Sequence, residues 1–477
     1  MIKNYFLIML MLLSLTSVNG QKKHTDFVKS KEKKYKDAMP VSVNKEIDKL
    51  MSLELANKGG LAIGKVDMTG FCPTGDVTKT DLARLKRSFK SLTPPRTNFK
   101  NNLGLIRRNI DVLDMAYEMS GDIWFLDKMI ECCDYMVDAQ NGPGKYKCIT
   151  GEYEYYWPTG FTFKDGEVFS NTALFSNGVI VGRLARVAKR ILSDKKLADT
   201  KAGISDKFNF GKTYGERALT YMDRGTKTLD YLVKYCYDSE TGLMIYPEAY
   251  KYSNRPDFVG IAPAWNRYFM MGVGFSNVAS VMKMLDGDEA KIKLYDGITQ
   301  KMVNEFFSTI KTVNVHGMKA YWWPYNYYFS PDRPEDAGHA WFDIDLLMHF
   351  YRSQKYGISN KMMMPLANTY MEVMYQGKGR LSGNVGGSGK VKTMPGGIGW
   401  LQLLEFRPEI YEIMVTHHMS HQKLNGRDFG ELLYAKHFFS QMHPSYKWKD
   451  LIDPLDLKYK KRSKSKRLGK KEKRTKK

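Results

Sequence analysis

The feature that most constrains this fold is a succession of amphipathic helical segments joined in sequential pairs. Apolar residues recur at helical spacing over residues 103–119 and again over residues 124–139, with only Gly121 and Asp122 between the two segments. We therefore expect an all-α chain. The same periodicity predicts further helices at residues 175–192, 214–236, 262–285, 289–310, 338–356, 361–375, 398–404, 408–418 and 429–439.

Helices in sequential pairs are typical of open solenoids and of closed toroids. No strict repeat period is visible along the chain, which argues against a regular solenoid. The pattern therefore predicts an (α/α) toroid, or barrel, of six or seven helix hairpins. Residues 153–169 are the exception, because the run FTFKDGEVF predicts a small β-hairpin insertion.

The first 20 residues have the layout of a cleavable secretory signal. Lys3 precedes the apolar run YFLIMLMLLSL, and Val18 and Gly20 come before Gln21. A membrane anchor would need about 20 apolar residues, and this run is shorter. The chain is therefore expected to be exported, to the periplasm or outside the cell, with no membrane span.

The formal net charge is +23, and it is unevenly distributed. Residues 458–477 contain 13 Lys or Arg and one acid, a contribution of +12, which leaves +11 for the rest of the chain. We expect a basic, disordered tail at 446–477, a toroid domain at 101–445, and an extension with a first helix packing on the toroid at 21–100. An exported basic body favours an anionic polysaccharide as partner and argues against nucleic acid.

Five cysteines are too few for a disulfide scaffold in a chain of this length. There is no CxxC pattern, so a zinc site has no support, and no metal or cofactor is expected. Cys132 and Cys133 lie in an apolar helical pattern, which favours buried free thiols, although one disulfide stays possible in an exported protein.

Residues 320–345 have the highest density of side chains suited to catalysis. The run AYWWPYNYY is followed by RPEDAGH and then by WFD. Pro324 breaks a helix, so the aromatic residues are expected on a loop that enters the next helix. Asp336 or a neighbour is expected to cap that helix. His339 and Asp343 are four residues apart, on one helix face, where a carboxylate can hold an imidazole in one tautomer.

Two further segments place polar residues at predicted helix starts. Asn266 and Arg267 follow Pro263 and Trp265, and Asn177 precedes a basic helix. Aromatic clusters pack in cores more often than they catalyse, and an acid at a helix start is often only a cap. The combination of Tyr, His, Arg and carboxylate near a predicted groove favours a functional site over these structural roles.

A family resemblance rests on three short patterns: Tyr321-x-Trp323-x-Tyr325, Glu335-Asp336-x-x-His339 and Pro263-x-x-Asn266. Together they resemble the toroid-fold uronate lyases, closest to polysaccharide lyase family 38, the glucuronan and alginate lyases, over about residues 101–350. The chain departs from related alginate lyases at Arg267, where those enzymes have a His directly after the Asn.

The resemblance implies β-elimination of a 1,4-linked uronic acid polymer, without a cofactor. Asn266 and Arg267 would neutralise the C5 carboxylate. Tyr321, or next Tyr325, would take the C5 proton and protonate the leaving oxygen, with His339 as a second base or positioning group. Trp323, Arg333, Asn177, Trp265 and Lys319 are the expected substrate-binding residues, and Glu335, Asp336 and Asp343 the capping or orienting ones.

Two other functions remain open from the residues alone. A glycoside hydrolase on the same toroid, acting on acidic oligosaccharides, would need two carboxylates about 5–9.5 Å apart, such as Asp336 with Asp343 or Asp345. A glycan-binding protein without catalysis would show the same charge and aromatic content. The polymer that is bound, endo or exo action, and the oligomeric state stay undetermined.

Overall fold

The architecture was analysed in a computed structural model. The structure describes residues 63–92, 102–148, 150–164, 167–172, 174–252, 256–377, 379–393, 398–420 and 423–449. Three predictions lie outside these ranges: the signal, the first helix of the extension, which the sequence places at residues 41–55, and all but the first four residues of the basic tail.

The described chain contains 13 α-helices, which alternate between an outer and an inner position. The inner helices are α2 (Asn102–Ser120), α4 (Ser176–Leu192), α7 (Trp265–Met284), α9 (Ala337–Ser353), α11 (Ile398–Gln402) and α13 (Gly426–Met442). The outer helices are α1 (Lys79–Phe89), α3 (Ile123–Asp138), α6 (Tyr214–Cys236), α8 (Glu289–Thr309), α10 (Asn360–Asn368) and α12 (Glu409–Met419), and the short α5 (Lys195–Asp199) lies between α4 and α6.

The six inner helices form a closed ring. Each packs against the next in the order α2, α4, α7, α9, α11 and α13, and α13 returns to contact α2. Neighbouring inner helices run parallel. On α2 and α4, for example, Asp111 binds Arg183, and seven residues later on both helices Glu118 binds Arg190. The predicted all-α (α/α) toroid is confirmed, with six helix pairs.

Parallel inner helices divide the toroid into two faces. We call the face where they begin the N face and the face where they end the C face. The links on the C face include two of only a few residues, such as Gly121-Asp122 between α2 and α3. Long links, with the two-stranded sheets of the described chain, lead from outer helices into the starts of inner helices on the N face.

The sheets of the N face are all antiparallel pairs. The predicted hairpin is present as β2 (Pro158–Lys164) and β3 (Glu167–Thr172). The remaining strands are β1 (Lys65–Asp67), β4 (Tyr237–Asp238), β5 (Leu243–Met244), β6 (Lys311–Val315), β7 (Met318–Trp322), β8 (Pro324–Asn326), β9 (Ser330–Pro334), β10 (Arg380–Leu381), β11 (Lys392–Thr393) and β12 (Lys423–Asn425). The expectation of a loop at residues 320–328 was wrong, because these residues supply most of β7 and all of β8.

Glycine allows a close approach between the inner helices α4 and α7. A methyl group on Gly178 would lie 2.8 Å from the carbonyl oxygen of Met270, and one on Gly274 would lie 2.6 Å from the carbonyl oxygen of Gly178. Asn277 donates a hydrogen bond to the carbonyl oxygen of Gly182 one turn further on. These two helices therefore pack backbone against backbone.

All five cysteines are free, with Cys72 exposed and the other four buried. Burial raises the pKa of the Cys133 thiol well above its ordinary value, so this thiol is an inert part of the core. Among the described helices, none combines the length and the apolar character that a membrane crossing requires.

Candidate functional site

The N face carries the candidate site because its elaborate links bring polar side chains to the starts of α7 and α9. Function concentrates on loops that a rigid scaffold positions, and here the scaffold is the ring of inner helices. The strands β8 and β9 lead directly into α9, whose first turn contains the residues that the sequence singled out.

Asp336 is the N-cap of α9, as predicted. Its Oδ1 accepts hydrogen bonds from the backbone N–H groups of Gly338 at 2.8 Å and His339 at 3.1 Å. Its Oδ2 lies 2.6 Å from Nδ1 of His339. The hydrogen bond with Asp336 raises the pKa of His339, and its counterpart lowers the pKa of Asp336 to about 2. The side chain of His339 is half exposed at the N face.

Asp343 does not hold His339, and that expectation was wrong. Its side chain is fully buried, and its Oδ2 accepts a hydrogen bond of 2.9 Å from the indole N–H of Trp323. Glu335 is equally buried, and its carboxyl group lies next to that of Asp343. Burial raises the pKa of both carboxyl groups.

Tyr325 lies at the centre of the accessible cluster. The guanidinium of Arg333 stacks over its ring at 5.0 Å, and the ring of His339 lies 5.7 Å away. Arg267, from the start of α7, lines the same small cleft and donates a hydrogen bond of 2.8 Å to the hydroxyl of Tyr246. The structure therefore brings together four residues that the sequence predicted and adds Tyr246, which it missed.

An apolar rim borders this cluster at the turn between β8 and β9. Asn326 holds the turn, because its Oδ1 accepts from the backbone N–H groups of Tyr328 and Phe329 and its Nδ2 donates to the carbonyl oxygen of Ala262. Tyr328 and Phe329 remain exposed, and Phe329 meets Phe258 edge to face. Exposed aromatic rings beside a polar cleft are suited to stacking on sugar rings.

Tyr321 and Lys319 do not join the cluster. They lie on β7, which packs against α10 and the π-helical turn that follows it. The backbone N–H of Tyr321 and the carbonyl oxygens of both residues are bonded to Thr369 or Asn368. Burial raises the pKa of Tyr321, which disfavours its ionised form.

Four more predicted residues lie in the core. The substrate-binding role expected for Trp323 was wrong, because its ring is fully buried and its indole N–H binds Asp343. Trp265 packs edge to face on Phe306, and Asn266 is buried beside it. Asn177 accepts from the backbone N–H of Trp157 and donates to a carbonyl oxygen. These contacts account for the residues structurally and leave Arg267 as the accessible group of its segment.

The carboxylate pair expected for a hydrolase does not form across the N-face cleft. Asp343 is enclosed beneath Trp323. Asp345 points into a different cavity, on the toroid axis, where Gln402 donates a hydrogen bond to it. Asp336 is therefore the exposed carboxylate of the first turn of α9, and His339 is its partner.

The axial cavity has a volume of about 210 Å³ and is lined by all six inner helices. A charge ladder crosses it between α2 and α4. Arg183 and Arg186 bind Asp111, Arg186 and Arg190 bind Asp114, and Arg190 reaches Glu118. This ladder was not predicted from the sequence, although acids at positions i, i+3 and i+7 of α2 match arginines at the same spacing on α4.

One group of potential metal ligands occurs in the described part of the chain. Donor atoms of Glu335, Asp336 and His339 lie within 4.8 Å of one another. Hydrogen bonds already occupy them, since Glu335 Oε1 accepts from the N–H of Asp336 and Asp336 binds the imidazole. We assign no metal here, and the expectation that none is needed stays a prediction.

Comparison with known proteins identifies no family for the chain. No family model matches it, and no characterised protein has a similar sequence. A family 76 glycoside hydrolase (mannosidase) from Bacteroides thetaiotaomicron VPI-5482 is similar in structure, with 12% identity, a TM-score of 0.37 and coverage of 72% of this chain and 71% of that one. A family 76 glycoside hydrolase from a bovine Bacteroides thetaiotaomicron strain gives 12% identity, a TM-score of 0.35, and coverage of 71% and 55%.

The predicted membership of polysaccharide lyase family 38 is wrong. The matching solved structures named above are family 76 glycoside hydrolases, and neither is a lyase. The β-elimination roles that the resemblance implied for Tyr321, Tyr325, Asn266 and Arg267 lose their basis with it.

Proposed function

We propose that this chain is a glycoside hydrolase that cleaves an anionic saccharide on the N face. The observation that carries the proposal is the Asp336–His339 pair, an accessible acid–base unit beside Tyr325 and two arginines. The pair is built into the first turn of an inner helix, where the ring of the toroid holds it in place.

His339 serves as the general acid. Its Nδ1 is bound to Asp336, which leaves Nε2 as the nitrogen that can donate a proton to the leaving oxygen of a glycosidic bond. Because Asp336 raises the pKa of His339, the imidazolium persists toward neutral pH. Asp336 is the positioning residue, since its own oxygens are occupied by the helix cap and the imidazole.

Arg267 and Arg333 receive the negative charge of the substrate. Both guanidinium groups lie next to Tyr325, one in the cleft and one over the ring. A guanidinium binds a carboxylate through charge-assisted hydrogen bonds. The +11 that remains without the residues from Lys458 onward supplies a general attraction for polyanions.

Tyr325 orients the attacking water in this proposal. That water releases its proton to solvent as it bonds to the anomeric carbon, while His339 protonates the leaving oxygen. The exposed rings of Tyr328 and Phe329 stack on neighbouring sugars. A second accessible carboxylate is absent from the first turn of α9, which separates this site from hydrolases that use two carboxylates. The predicted export of the chain belongs to the same proposal, because polymeric glycans are met outside the cell.

The test is incubation with glucuronan, alginates, glycosaminoglycans and a neutral polysaccharide as the control. We expect new reducing ends from an anionic polymer and no ultraviolet absorbance from unsaturated uronates. Release of unsaturated products would overturn hydrolysis. Binding without any release of oligosaccharide would show a glycan-binding protein instead of an enzyme.

A further inference from the structure

Two carboxyl groups lie fully buried beneath the candidate acid, and the proposed mechanism does not use them. Glu335 precedes the N-cap of α9 and Asp343 lies further along the same helix. One oxygen of each is fixed by a donor, because Asp336 N–H binds Glu335 Oε1 at 2.9 Å and Trp323 Nε1–H binds Asp343 Oδ2 at 2.9 Å.

The second oxygen of each carboxyl group has no such donor. Glu335 Oε2 and Asp343 Oδ1 are buried, and no N–H or hydroxyl group of the described chain donates to either. The two carboxyl groups lie against each other, and a hydrogen bond between them requires that one of them carry a proton. Two ionised carboxylates in contact repel, whereas one proton between them makes the contact favourable.

The backbone around Glu335 is built to hold this side chain inward. The N–H of Val385 donates to the carbonyl oxygen of Glu335 at 3.0 Å, and the N–H of Ala337 donates to the carbonyl oxygen of Gly383 at 2.9 Å. The link that precedes α11 therefore clamps the residues on both sides of the helix cap. Buried polar groups held this firmly are costly unless they are satisfied.

The charged groups that face the carboxyl pair are few. Asp336 and His339 lie at the same helix start, and the charge of Arg267 on α7 lowers the pKa of His339. Glu335 Oε1 lies 3.8 Å from His339 Nδ1. The buried carboxyl pair thus lies directly behind the imidazole.

We propose that Glu335 and Asp343 share a single proton and that the remaining negative charge positions the His339 imidazolium for proton transfer. Both are positioning residues in this scheme, because neither touches the substrate. The inference rests on the proposed function only in treating His339 as the general acid. The shared proton itself is a property of the free protein.

The test compares Glu335→Gln, Asp343→Asn and the double variant in the full chain. Each single variant replaces the proton with an amide donor and keeps one negative charge, so the pKa of His339 should stay within about 0.3 units of wild type. The double variant removes the charge, and that pKa should fall by about one unit. The readout is NMR titration of ¹³C-labelled histidine, which needs no substrate.

Infrared spectroscopy of the wild-type protein supplies a second measurement that needs no variant. A protonated carboxyl band that persists above pH 8 and vanishes in both single variants is expected. Absence of the band, or a stoichiometric divalent cation found by metal analysis, would overturn the proposal. So would single variants that lower the pKa of His339 as much as the double variant does. Lack of hydrolytic activity would contradict the proposed function. It would not affect the NMR and infrared tests of the shared proton, because neither needs a substrate.

Discussion

Asp336 Oδ2 lies 2.6 Å from His339 Nδ1, while Asp336 Oδ1 caps the helix that carries His339. One carboxylate therefore fixes the backbone and the imidazole of the same turn. This arrangement makes the protonation of His339 dependent on a residue that also starts the helix, and the two roles can be separated by substitution.

Asp336→Asn should lower the pKa of His339 while preserving the helix, because Asn is as good an N-cap as Asp. The alkaline limb of the kcat/KM profile should move to lower pH by about one unit or less. Asp288→Asn is the matched control, since Asp288 caps the outer helix α8 through the N–H of Lys291 and has no link to the site. An alkaline limb that stays in place in Asp336→Asn would contradict the role of the pair.

The same pair predicts a pH window for stability. The pKa of His339 is raised in the folded state, so its contribution is complete below about 6.5 and is lost as pH rises through the folded pKa. The pKa of Asp336 is lowered, so its contribution is present above about 4 and is lost as pH falls toward about 2. The difference in the free energy of unfolding between wild type and His339→Gln should be largest from about pH 4 to 6.5. It should stay below about 1 kcal/mol because His339 is half exposed, and thermal unfolding across this pH range measures it.

Arg267→Gln should raise KM for the anionic substrate about 10- to 100-fold. The reason is the loss of one charge-assisted hydrogen bond, which contributes about 1.5–3 kcal/mol to binding. The KM for a neutral analogue should rise much less. Lys293→Gln, on the exposed surface of the outer helix α8, removes the same charge away from the cleft and controls for net charge. An equal rise in KM in both variants would show that Arg267 contributes only through the net charge of the protein.

Asp114→Asn should destabilise the toroid by about 2–4 kcal/mol, because Arg186 and Arg190 would lose a buried partner between α2 and α4. Denaturant unfolding measures the change. Asp199→Asn breaks the exposed pair with Lys195 and should cost less than about 0.5 kcal/mol. A similar, small effect in both variants would mean that the ladder does not stabilise the ring.

Gly178→Ala should destabilise by about 1–3 kcal/mol or more, since the added methyl group meets the backbone of α7 at Met270. Gly297→Ala is the matched control on α8, where nothing lies within 4 Å of the new methyl group. That substitution should be neutral or stabilising by up to about 1 kcal/mol, because Ala favours the helix. Thermal unfolding separates the two outcomes.

Periodicity predicted the helices well, because each buries one stripe against the ring or its neighbours. The predicted helix at residues 214–236 coincides with α6, and residues 124–139 differ from α3 by one residue at each end. The strands β6 and β7 were missed, although His316 and Gly317 both adopt positive φ in the two-residue turn that joins them. A residue followed by Gly between two alternating segments predicts a hairpin, and His316-Gly317 is such a pair.

The candidate site was predictable only in part. His339 has one carboxylate three residues before it and another four residues after it, and both spacings place side chains on one helix face. Which carboxylate binds the imidazole depends on the helix cap and on the burial of Asp343 beneath Trp323, a contact between separate elements. The axial charge ladder likewise requires two helices more than 70 residues apart to be neighbours.

The contact between the first and last inner helices has a consequence for how the chain acquires its shape. Arg108 on α2 binds Glu431 on α13 at 3.0 Å, across 323 residues of sequence. Until α13 has been synthesised, the ring of inner helices stays open, and the sides of α2 and α11 that pack against α13 are uncovered. Contacts of such long sequence separation form late and slowly, so the completed protein should be far more resistant to proteolysis than any fragment that ends before Gly426.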